Sequence, residues 1–177
     1  KYSPSLKDWE RKVIRVVRKV NQYLYPQILT KVMNEGWASF WHWLLMNDLY
    51  DLGYLSEASM LEFYSSHSSV LYQPDYSAQM NPYKLGFSIW MDLKRICEKP
   101  TEEDKELYPE LANTDWIKSL SSIMETYKDD SFIRQYLTPK VIRDLRLFSL
   151  EDIEQKSKLV VRNIHDNNDH DNIRRVL

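Results

Sequence analysis

The chain has 177 residues, enough for one domain with a buried core, and its 43% hydrophobic content excludes a disordered polymer. A net charge of −2 excludes a global basic field of the kind that recruits nucleic acid. Three glycines are too few for an all-β fold built on tight turns, and the lone Cys97 excludes an internal disulfide.

Leu, Glu, Lys, Met and Gln fill long stretches without breakers, so the expected class is mainly α. The pattern predicts a multi-helix bundle around an interior aromatic helix, with one or two short strands near the C-terminus. Residues 1–148 form the helical core in this reading, and 149–177 form a strand-plus-helix segment that continues into chain beyond the sequence. The first helix is predicted from about Ser5 to Tyr25, with Pro26 ending it or marking the start of the next element. Trp9, Val13, Val16, Val17, Val20 and Leu24 give it one apolar stripe. Arg11, Lys12, Arg15, Arg18 and Lys19 fall on the other side, either as a solvated face or as a patch for an anionic partner.

A second helix, roughly Ile28 to Leu52, carries Met33, Trp37, Phe40, Trp41, Trp43, Leu44, Leu45 and Leu49 on nearly every side. Such a helix is expected in the interior. Gly53 suits its C-terminal turn, and Ser56 is the N-cap of a third helix through about Val70. The short connection makes the two an antiparallel hairpin. Asn81 followed by Pro82 starts a fourth helix that runs to Glu98, where Gly86 permits a close helix contact. Thr101 with Asp104 predicts a short capped turn. Helices follow over about Asp115 to Tyr127, Ser131 to Leu137, and from Thr138–Pro139. The β-branched run Lys158 to Ile164 is the one convincing strand, its partner lying at Leu147–Leu150 or outside the chain; the tail from Asp169 turns helical again.

The chemistry concentrates in Met33 to His42, "MNEGWASFWH". Glu35 and His42 project from one helix face nearly two turns apart, ~10 Å along the axis. That spacing is too long for both to hold one small ion easily. A carboxylate among indole rings needs compensation: a metal ion, an arginine or lysine, or a raised pKa that keeps it neutral. A hairpin turn centred between Tyr54 and Leu55 sets His42 level with His67 on the next helix. Taken alone, His67 reads as a helix-end or loop-facing residue. If the two rings converge beneath Glu35, the pocket suits metal ligation or acid–base work, with His42 and His67 as its catalytic candidates. "HDNNDHD" (His165 to Asp171) reads as capping and turn chemistry, since it lacks the glycine and glutamate of a calcium loop. "TEEDKE" reads as a first-turn acidic cluster. Phosphate-loop, dinucleotide, nucleophile-elbow and paired-cysteine motifs do not occur.

Three blocks carry a family resemblance: "YPQILTKVMNEGWASFWH" (Tyr25 to His42), "NPYKLGFSIWMDLKRICEKPTEEDKELYPE" (Asn81 to Glu110) and "DDSFIRQYLTPKVIRDLRLF" (Asp129 to Phe148). In this order they resemble the SpoVR family, named after stage V sporulation protein R. Family proteins are much longer, so the chain resembles a middle portion; its Gln73–Asn81 stretch is shorter than in relatives. The resemblance implies a role in spore cortex formation or in stationary-phase stress response. It implies a PrkA-like serine kinase and a von Willebrand-type domain protein as partners. No biochemical activity is assigned to the family. "EGWA" is also similar to the third-ligand helix of some gluzincin metallopeptidases, which would make Glu35 a ligand of zinc or another divalent metal. The histidine ligands would then lie outside this chain, in the family's upstream His-x-x-x-Gly-His motif, which lacks a catalytic glutamate. If the protein is an enzyme, the class implied is a metal-dependent hydrolase; the alternative is a regulatory scaffold that docks the kinase through the basic face of the first helix. The expected location is cytoplasmic, with no membrane span. Apolar surface left uncovered would favour self-association.

Overall fold

The computed structural model describes residues 5–74, 80–147, 150–152, 159–161 and 173. Eight helices occur among the described residues: α1 Asp8–Ile28, α2 Lys31–Asp51, α3 Glu57–Val70, α4 Pro82–Glu98, α5 Glu102–Leu107, α6 Trp116–Thr126, α7 Asp129–Tyr136 and α8 Pro139–Asp144. Two three-residue strands, β1 Leu150–Asp152 and β2 Leu159–Val161, pair antiparallel with Leu150 opposite Val161. Of the predicted tail helix only Ile173, which is helical, is described; His165 to Asp171 lie outside the described residues.

Local capping chemistry sets most helix starts. The Ser56 hydroxyl accepts the Ser59 N–H at 3.1 Å. The Asn81 side chain accepts from Tyr83 and Lys84, while its amide donates to the Val70 and Tyr72 carbonyls and ties the end of α3 to the start of α4. Thr101 and Thr138 cap α5 and α8 in the same manner. The first helix departs from expectation at Pro26, which lies inside α1 rather than after it. A proline cannot donate to the carbonyl four residues back, here Gln22. That segment is exposed, so water can satisfy the carbonyl, and the helix runs another half-turn to Ile28.

The central element is α4, not the aromatic α2. Leu85, Gly86, Ile89, Trp90, Asp92, Leu93, Ile96 and Cys97 are all buried on it. Only Met33, Gly36, Ser39 and Phe40 are buried on α2, all in its N-terminal half. Its C-terminal half projects outward, leaving Leu45 52% and Leu49 39% exposed. The physical reason is the α2–α4 crossing at Gly36 and Gly86. A Cβ on Gly36 would overlap the Gly86 backbone, and one on Gly86 would overlap the Val32 carbonyl. Two glycines let the backbones touch, so the half of α2 near the crossing enters the core and the half beyond it leaves. Trp90 locks the crossing by donating its indole N–H to the Met33 carbonyl at 3.2 Å. Helices α6, α7 and α8 complete the core with Leu120, Ile123, Phe132, Ile133, Tyr136, Val141 and Ile142. No helix among the described residues is long and apolar enough to cross a membrane.

Candidate functional site

The site lies where α2, α3 and α4 meet. Asp129, from the start of α7, sets the register of α2. Its two carboxylate oxygens accept the Val32 and Met33 N–H groups, each at 2.9 Å. An anion at a helix N-terminus is favoured by the free N–H groups and the helix dipole. The Asp129 N–H returns a bond to the Leu29 carbonyl at 2.9 Å. This clamp and the Gly36–Gly86 crossing hold the stretch from Glu35 to Trp43.

Glu35 is half-buried and meets Tyr83 in the first turn of α4. Hydrogen bonding toward the Glu35 carboxylate, then burial, then the nearby negative charge raise the Tyr83 pKa. Among the described residues no lysine or arginine pairs with Glu35. What the structure brings to the carboxylate is a phenol. Sequence reading missed Tyr83. The Asn81-Pro82 start signal placed it in the first turn of α4, but only the α2–α4 crossing brings it to Glu35.

The histidines do converge. The His42 and His67 rings have centroids 6.0 Å apart at an interplanar angle of 74°. His42 is exposed and edge-on to Phe63 at 4.9 Å. His67 is only 6% exposed and faces inward, not toward a loop. Trp43, Phe63 and Phe87 surround it at 5.4, 5.2 and 5.3 Å between centroids. Its Nε2 is buried with no hydrogen-bond partner among the described residues. Leaving such an atom unpaired costs about 1–3 kcal/mol. Burial, and then repulsion from His42, lower the His67 pKa, so the ring is held neutral.

Glu35 does not join the pair. Among the described residues no three His, Cys, Asp or Glu side chains gather at metal-ligand spacing. The single pocket expected from Glu35, His42 and His67 is therefore two stations on one side of α2: a carboxylate–phenol pair near its start, and a histidine pair two turns on. Between them Trp37 packs edge-on against Trp90 at 4.8 Å and stacks on Phe40 at 5.7 Å. Trp41 lies 5.7 Å from Trp116, whose other side carries the Lys94 ammonium at 5.0 Å.

A bundle centred on α4 with a polar face on an aromatic helix defines a class of helical protein, and comparison with known sequences places it. The family model described as "SpoVR like protein" matches residues 1–177. The chain belongs to the SpoVR-like family. It is 48% identical over 178 residues to "Uncharacterized protein YcgB" of Escherichia coli (strain K12), covering 98% of this chain and 35% of that relative. The chain thus spans about a third of the length of the curated relative it matches. No solved structure matches.

Proposed function

We propose that this region is a docking module within a SpoVR-like protein and that α1 engages the partner. The observation that carries this reading is that no residue of α1 is buried, although the helix is strongly two-sided. Trp9, Val13, Val16, Val17, Val20 and Leu24 line one side and are 41% to 62% exposed. Arg11, Lys12, Arg15, Arg18 and Lys19 lie on the opposite side, and no acidic residue occurs from Arg11 to Ile28. A helix of this kind is completed by a surface with an apolar groove and an acidic rim. The family resemblance supplies the partner: a PrkA-like serine kinase, with the von Willebrand-type domain protein in the same assembly. Work in spore cortex formation or stationary-phase stress response would follow from that assembly. The test is co-purification of the kinase with the full-length protein carrying Arg11→Glu, Arg15→Glu and Arg18→Glu. At least a tenfold loss of binding with unchanged helical content is expected; undiminished binding overturns the reading.

Glu35 favours a second reading. A half-buried carboxylate beside a phenol, with no lysine or arginine paired to it among the described residues, keeps lone pairs free for a divalent metal. In that reading α2 supplies one ligand to a zincin-like hydrolase centre whose remaining ligands come from outside this chain, with His42 and His67 as the proton-handling groups nearby. Zinc in the full-length protein that disappears in Glu35→Gln would support it, and a metal-free full-length protein would sink it.

A further inference from the structure

We propose that His42 and His67 form a two-histidine clamp for a borderline divalent transition-metal ion, separate from Glu35 and linking α2 to α3. The geometry of the pair carries this, and neither reading above is needed for it. An ion bonded to imidazole nitrogens at ~2.0–2.1 Å, with tetrahedral or wider angles, puts the two ring centroids roughly 5–6 Å apart. The observed separation is 6.0 Å, with the rings steeply inclined rather than stacked. His67 brings a buried ring nitrogen that no donor or acceptor satisfies.

The surroundings say which ions fit. Trp43, Phe63 and Phe87 enclose His67 and offer no oxygen ligand, so calcium and magnesium are excluded by their need for oxygen donors. Imidazole pairs suit Zn2+, Ni2+ and Cu2+. His42 is exposed, so water can fill the outer positions. Two protein ligands make a readily exchanging site rather than a permanent structural one. Its place matters because it lies in the α2–α3 contact, with His42 and Trp43 against Phe63, Tyr64 and His67, and the Tyr64 hydroxyl donating to the Asn47 side chain at 2.9 Å. An ion across the pair would fix the hairpin in its observed register.

The experiment is electron paramagnetic resonance of the full-length protein with one equivalent of Cu2+, which reports bound imidazole nitrogens directly. The wild type is expected to show a two-nitrogen signal that Zn2+ displaces. His42→Ala, at an exposed position where folding is not at risk, should lose one nitrogen and weaken binding at least tenfold. His67→Gln should do the same, while Glu35→Gln should leave the signal intact. No two-nitrogen signal in the wild type, or an unchanged signal in His42→Ala, overturns the clamp. Loss of the signal in Glu35→Gln overturns its independence and assigns the ion to the Glu35 centre instead.

Discussion

Two buried polar groups on neighbouring parts of the molecule are treated in opposite ways. At the far end of α4, Asp92 and Asp104 are 5% and 6% exposed, yet every charge is answered. Arg95 donates to Asp92 at 2.6 Å and grips Asp104 with two bonds of 2.7 and 3.0 Å. The Thr138 hydroxyl donates to the other Asp92 oxygen at 2.6 Å, and Thr101 donates to Asp104 through both its N–H and its hydroxyl. At the α2–α3 hairpin, His67 is equally buried and its Nε2 has nothing. The first arrangement joins α4, α5 and the start of α8 and is complete in itself. The second is incomplete, and a buried group left wanting marks a place where something else is expected to bind.

The largest expected effect comes from breaking the complete side. Asp104→Ala would leave Arg95 with Asp92 alone and Thr101 without its acceptor, and should cost about 3 kcal/mol, read by chemical denaturation. The same carboxylate gives an acid signature. Burial alone would raise its pKa, but the Arg95 fork and the Thr101 donors override that and hold it down to about 2, from an ordinary 3.8. A depressed carboxyl pKa contributes stability that is present above the unfolded value and lost as pH falls from about 4 through about 2. The shift corresponds to about 2 kcal/mol, and this acid dependence should vanish in Asp104→Ala.

Next in size is His67→Phe. If the ring is unsatisfied, an apolar ring of similar shape should be neutral or stabilising by about 1 kcal/mol. A loss of about 2 kcal/mol or more would show that the imidazole has a polar partner inside the fold and would erase the contrast. His67 also predicts a pH trend of the same sense as Asp104 but in another window. Its folded pKa is lowered, so the unfolded chain binds the proton more readily. Stability is full above the unfolded value near 6.5 and falls as pH drops through the depressed folded value. Thermal melts in metal-free buffer should show that slope in the wild type and not in His67→Phe. The smallest effect is His42→Ala, which should change stability by less than about 0.5 kcal/mol without metal, because the ring is exposed.

The same contrast separates what could be read from the sequence from what could not. The caps at Ser56, Asn81, Thr101 and Thr138 were legible because their chemistry closes within a few residues. The meeting of His42 and His67 was legible because a short hairpin ties the height of one to the height of the other. Asp129 on the N-terminus of α2 and Tyr83 on Glu35 were not, since each contact depends on how distant helices cross. The inward reading of α2 holds for its first half and fails for its second, for a related reason. Composition shows that a helix is apolar all round, but which end meets the core depends on where its one glycine finds another. The stripe of α1 is the reverse case: the periodicity was plain, and no described residue buries it.

The Gly36–Gly86 crossing has a consequence for how finely the Glu35 station is tuned. Side chains between helices act as a cushion, because rotamers can shift to absorb small displacements. Here the cushion is gone at the residue next to Glu35. Main chain bears on main chain, so the spacing from Glu35 to Tyr83 is geared to the helix axes themselves.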